Sequence, residues 1–221
     1  MTTATQIFVD KAYVARCEGM SAVLMSYLPM ERIHSVVDLG CGSGLVGKAF
    51  EALGREVTYV DGREENLAPL RAEGRRVIRR DAHSFVGLGS DLVLCLGLLY
   101  HSDEPQRILT TCAEIAPIIA LETLCLDLNG VWCLTLEEET TRNDQSVDGG
   151  ACRPSPDWLH RALRKAGYGN IHDLSEMVPS VEPSAAHQGF VYRWKVEGSG
   201  DSYRRGYGLR KLMVAHKGTS E

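Results

Sequence analysis

Residues 36–47 read VVDLGCGSGLVG, two β-branched residues and an acid followed by four glycines set among small or apolar side chains. A strand that meets such a run can continue only through a tight turn whose backbone lies open to a ligand. Beyond the turn, Leu45, Val46, Ala49, Phe50 and Leu53 recur on one helical face, which Gly54 closes. A strand, a glycine turn and a helix in that order predict the opening unit of a parallel α/β sheet.

The rest of the chain repeats the unit. REVTYVDG and RRVIRRDA predict a second and third strand around a helix at Glu64–Glu73, a helix weakened by Pro69. DLVLCLGL is apolar almost without a break, as expected of a strand buried on both faces of a parallel sheet. Pro105, Ile108, Leu109, Cys112 and Ile115 mark a helix, with Ser102 or Asp103 as its cap, and PIIALET a fifth strand. Ser155, Pro156 and Asp157 open a helix that stops at Gly167, and a further strand is expected near Asn170–Leu174. GFVYRWKV and GLRKLMVAH are expected to close the sheet as an antiparallel hairpin.

The fold expected is α/β and Rossmann-like, a doubly wound seven-stranded sheet, mostly parallel with a carboxyl-terminal antiparallel hairpin. We expect a single domain over residues 1–221. Residues 1–33 are its helical cap, 34–122 its cofactor-binding half, 123–153 a substrate-side insertion and 154–221 the carboxyl-terminal half. In the cap, Ile7, Tyr13, Val14, Cys17, Met20, Leu24 and Leu28 keep helical spacing up to Pro29.

Charge and cysteine content narrow the function. With 24 basic and 29 acidic residues in 221, the net charge is −5, which argues against tight non-specific binding to nucleic acid. Two basic clusters, Arg71–Arg80 and Arg204–Lys211, read as solvated surface. The seven cysteines show neither CxxC pairs nor zinc spacing and read as buried thiols of a reducing compartment, with no metal site. The longest apolar run, Leu92–Tyr100, is too short to cross a bilayer, and the amino terminus lacks a basic cap followed by an apolar stretch. No membrane association and a cytoplasmic location are therefore expected, for a monomer or homodimer.

Gly42, Gly44 and Gly47 satisfy GxGxxG, so a nicotinamide dinucleotide and an oxidoreductase come into consideration. Asp38 speaks against them. An acid two residues before the first glycine is a poor neighbour for two phosphates. It suits S-adenosyl-L-methionine, which has no phosphate and presents an ammonium and a sulfonium. Asp61, ending the second strand, can accept from ribose hydroxyls, and Asp81, after the third, from an adenine amino group. A glycine turn and three acids at successive strand ends converge on one crevice.

DLGCGSG, YVDG, RRDAHSF and DLVLCLGLLYHSDEP together resemble the successive motifs of class I S-adenosylmethionine-dependent methyltransferases, over about residues 34–122. The resemblance implies that Asp38, Gly40, Cys41, Gly42 and Gly44 line the methionine part of the cofactor. By the same likeness, Asp61 and Gly62 hold ribose, Asp81 and Ala82 hold adenine, and Leu96 and Gly97 form the crevice floor. S-adenosyl-L-homocysteine is the product implied. GLLYHSDEP, ALET and RPSPDWLHRALRKAGY are similar to a narrower group, the bacterial tRNA wobble-uridine carboxymethyltransferases and related enzymes that methylate small molecules or sugars. Arg210 stands where that carboxymethyl group places an arginine against a carboxylated cofactor. The chain lacks that group's long amino-terminal extension and is acidic, so a conventional methyl donor and a small-molecule acceptor are expected, methylated at oxygen. A tRNA substrate is the alternative, and a non-catalytic binding module is the reading outside enzymology.

For the acceptor, His101 just past the fourth strand is the candidate base. Tyr100 is expected to orient the acceptor or shape the methyl channel, and Glu122 to hold substrate or to partner His101. Arg142 and Asn143, in the insertion, are expected contacts for an anionic or hydroxylated acceptor.

Overall fold

The computed structural model describes residues 8–138, 140, 146–182, 189–191 and 207–218. Helix α1 (Lys11–Tyr27) starts where the Asp10 side chain accepts from the Ala12 N–H. Strands and helices then alternate: β1 (Ser35–Leu39), α2 (Leu45–Glu51), β2 (Glu56–Asp61), α3 (Glu64–Ala72), β3 (Arg76–Arg79) and β4 (Leu92–Leu96). A short 3-10 turn (Leu99–His101) leads into α4 (Pro105–Ile115), β5 (Ile118–Leu124), β6 (Cys133–Glu137) and β7 (Gly150–Pro154). The described chain closes with α5 (Pro156–Lys165), β8 (Tyr168–Asp173), β9 (Gly189–Val191) and β10 (Tyr207–Lys217).

The main sheet runs β3-β2-β1-β4-β5-β10-β8, with short β9 beside β10. Strands β1 to β5 pair parallel. β10 lies antiparallel between β5 and β8. The order reverses between β1 and β4, and ligands of open α/β sheets bind at the carboxyl ends of strands beside such a reversal.

Alternation along each strand loads two cores. Val37, Leu39, Val93 and Cys95 face α4 and α5, packing on Ile108, Leu109, Leu159 and Leu163. Val36, Leu92 and Leu94 face the other way and join Cys17, Met20 and Leu24 of α1, Phe50 of α2 and Leu67 and Leu70 of α3. α1 thus covers one face of the sheet rather than capping an end.

Two expectations change in detail. Helix α3 runs through Pro69, because that residue is exposed and solvent can satisfy the carbonyl its missing N–H leaves behind. The antiparallel carboxyl-terminal pair is β8 with β10, whereas residues 189–191 of GFVYRWKV pair parallel with β10. The insertion has ordered flanks: β6 and β7 form a separate antiparallel ribbon. The ribbon is pinned to α5 by Ser155, whose buried hydroxyl donates to Gly130 O and accepts from the Trp132 and Trp158 N–H groups. No helix among the described residues is long and apolar enough to cross a membrane.

Candidate active site

Asp38 lies on the α1 side of β1, 4% exposed, and its Oδ2 faces Gly47, where a Cβ would stand 2.7 Å away. Burial pushes its carboxyl up to about 7, against a hydrogen bond from the Gly47 N–H and with a further push from the charge of Asp61. No cation among the described residues forms an ion pair with it. The first turn of α2, where a dinucleotide's phosphates would need donors, is thus faced by a buried carboxylate. A small hollow opens beside it, lined by Tyr13, Arg16, Cys17, Asp38, Cys41 and Leu96 among others. A buried acid with no cation suits a ligand that brings positive charge and no phosphate.

The turn Gly40–Gly44 wraps this hollow, with φ of 69°, 53° and 69° at its three glycines. Gly40 and Cys41 donate their backbone N–H groups to Val60 O, and the Gly42 N–H donates to Asp61 Oδ2. Asp61 also accepts from Asn66 Nδ2 on Oδ2 and from the Arg63 N–H on Oδ1, which keeps a lone pair for a ligand. Burial nonetheless raises its pKa. Gly62 follows, with Val147 beside it. Asp81 accepts the His83 N–H and ring Nδ1 on one oxygen, each at 2.7 Å, and its second oxygen has no hydrogen-bond partner among the described residues. Ala82 is buried next to it.

Gly97 follows Leu96, which lines the hollow at the end of β4. Its φ is 77°, and a Cβ there would sit 2.7 Å from Nη2 of Arg16. Arg16 is a site residue that the apolar pattern of α1 did not reveal, since a single arginine within a buried stripe reads as a break in the stripe. Its Nε and Nη2 donate to the two oxygens of Glu122 at 3.1 and 2.7 Å. Arg210 Nη1 donates to the same oxygens at 3.1 and 3.0 Å, and its Nη2 donates to the Tyr100 hydroxyl at 3.2 Å. All three charged side chains are buried. Glu122 is therefore the counter-ion of two arginines and not the partner of His101. Arg210 is built into β10, its guanidinium 4.9 Å from the centre of the Tyr100 ring.

His101 finds its carboxylate in the ribbon instead. Its Nδ1 lies 2.5 Å from Glu138 Oε2. Tyr100 and His101 touch with ring centroids 4.1 Å apart. Arg153 of β7 donates to Glu138 Oε1 and to the Tyr100 carbonyl. Neither Glu138 nor Arg153 was legible as a site residue, because only the fold of the ribbon brings them to the crevice. Arg142 and Asn143 lie outside the described residues, as do Arg204 and Arg205. In the other basic cluster, Arg71 is ion-paired with Glu64 and Arg75 with Glu51 and Glu73, while Arg76, Arg79 and Arg80 are exposed.

A sheet in this strand order, with glycine turn and acids at its carboxyl edge, has the architecture of the class I methyltransferases. Residues 37–116 match the family model described as a methyltransferase domain. The ubiquinone biosynthesis O-methyltransferase of Coxiella burnetii (strain RSA 493 / Nine Mile phase I) is 32% identical over 93 residues, covering 36% of this chain and 38% of the relative. The chain thus matches less than half the length of that curated relative.

Among solved structures, the fold is similar to magnesium protoporphyrin IX methyltransferase from Synechocystis PCC 6803 with bound S-adenosylhomocysteine (TM-score 0.63, 15% identity, 97% of this chain and 92% of that one). It is also similar to the 1,6-didemethyltoxoflavin-N1-methyltransferase of Burkholderia thailandensis (TM-score 0.61, 19% identity, 95% and 80%).

Proposed function

We propose that this protein methylates a hydroxyl of a small-molecule acceptor, using S-adenosyl-L-methionine. The observation that carries the reading is Asp38, a buried carboxylate that forms no ion pair among the described residues, beside a glycine turn and with Asp61 and Asp81 at the ends of the next two strands. The name of the curated relatives supports oxygen as the atom methylated. The cofactor, when bound, supplies a methyl group already activated on a cationic sulfur.

The chain's own residues have the remaining work. Asp38 would take the ammonium end, Asp61 the ribose hydroxyls through Oδ1, and the spare oxygen of Asp81 the adenine amino group. Holding donor and acceptor in line supplies most of the rate. His101 would hold the proton that leaves the acceptor hydroxyl as the new oxygen–methyl bond forms, with Tyr100 and its two arginines shaping the approach. Arg142 and Asn143 remain proposed acceptor contacts.

Calorimetric titration with S-adenosylhomocysteine, set against NADH, tests the cofactor. Binding of the first and none of the second is expected, and the reverse would overturn the reading. Incubation with S-adenosylmethionine carrying a deuterated methyl group and a metabolite extract, read by mass spectrometry, tests the transfer and identifies the acceptor atom.

A further inference from the structure

We infer that Glu138 is the positioning residue of His101: it takes the Nδ1 proton and leaves Nε2 as the proton acceptor of the site. The inference rests on the function proposed above and adds a residue to it.

Two histidines beside the crevice bind carboxylates, and their second nitrogens differ. His83 is closed at both ends, with Nδ1 on Asp81 Oδ1 at 2.7 Å and Nε2 on the Ser102 hydroxyl at 2.6 Å. That ring ties the loop after β3 to the loop before α4. His101 has its Nδ1 on Glu138, while nothing among the described residues hydrogen-bonds its Nε2. A carboxylate only accepts, so the proton of this bond sits on Nδ1 and the Nε2 lone pair is left available.

Glu138 is held to this one task. Burial opposes its charged form, but the hydrogen bond to His101, the Ser146 N–H and the Arg153 guanidinium outweigh it and keep the carboxyl below its usual range. Its backbone N–H donates to Gly149 O at 2.8 Å across the end of the ribbon. The ribbon also grips the 3-10 turn that carries the histidine. Arg153 Nη1 donates to Tyr100 O at 3.2 Å and Cys152 Sγ to Leu99 O at 3.4 Å. Imidazole and carboxylate are thus fixed from both sides, with side-chain exposures of 13% and 11%.

The tautomer is measurable without knowing the acceptor. Long-range nitrogen–proton spectra of the full chain, with the His101 ring assigned by its loss in His101→Ala, should show a proton on Nδ1 protected from exchange. In Glu138→Ala that proton should lose protection and the ring should shift toward the Nε2–H form that dominates in water. Glu138→Gln, whose amide oxygen still accepts, should retain the Nδ1–H form in part. An Nε2–H ring in the unaltered protein overturns the proposal, and so does a ring indifferent to Glu138→Ala. If the variant does not fold, the spectrum of the unaltered protein decides alone. Titration with S-adenosylhomocysteine on the same samples separates the two readings: lost cofactor binding with the expected tautomer refutes the proposed function, and intact binding with the wrong tautomer refutes only the role of Glu138.

Discussion

Arg16 and Glu122 stand 106 residues apart in sequence and form a two-point ion pair at 3.1 and 2.7 Å, closed off from water between α1 and β5. The bond joins the helix that precedes the sheet to β5, an interior strand between β4 and β10, and Arg210 meets the same carboxylate from β10. A buried pair of this kind adds little over an apolar replacement, but removing one member is costly because the other is stranded.

Glu122→Ala removes the carboxylate shared by two buried guanidinium groups and should cost about 3–5 kcal/mol. Arg16→Ala leaves Glu122 with Arg210 and should cost less. Urea unfolding measures both. Equal, small losses would show that the network is dispensable.

Asp38 has a folded pKa of about 7, above its ordinary carboxylate value. A raised acid pKa favours the folded state at low pH. Its contribution is complete below about pH 4 and is lost as pH rises through about 7. The ligand-free protein should therefore lose stability over that window, with a slope that Asp38→Asn reduces. A cationic ligand that requires the carboxylate should displace its proton. Titrations below pH 7 in buffers of different ionisation enthalpy should then show proton release, and affinity for S-adenosylmethionine should rise toward pH 7. Binding independent of pH would remove Asp38 from the site.

Gly97→Ala puts a methyl group 2.7 Å from Arg16 Nη2 at a residue with φ of 77°. The left-handed backbone costs an L-residue about 1–2 kcal/mol. Displacing the arginine from Glu122 adds to that. A lower melting temperature with weakened S-adenosylhomocysteine binding is expected. Loss of stability alone would place the floor of the crevice away from the cofactor.

His101→Ala and His83→Ala should separate. Removing a general base lowers kcat by about 100-fold or more, with little change in KM for the methyl donor. His83→Ala deletes bonds to Asp81 and Ser102 and should cost about 1–3 kcal/mol of stability. A full kcat in His101→Ala would mean that alignment alone drives the transfer.

The strand–helix alternation, the glycine turn and the three acids at strand ends were legible in the sequence, because each follows from local periodicity and turn chemistry. Alternation along β1 puts Val36 and Asp38 on one side and Val37 and Leu39 on the other, and packing of the fold sets the Asp38 side against α1. Pairing across long separations was not legible. Nothing local says that Arg16 will meet Glu122, or that the carboxylate for His101 comes from a ribbon 37 residues on. A charged side chain finds its partner only after hydrophobic packing has set the sheet order and carried α1 and the β6–β7 ribbon to the crevice. The sequence by itself determined the scaffold and its row of carboxylates, while the tertiary structure decided which of them face cations and which remain open to a ligand.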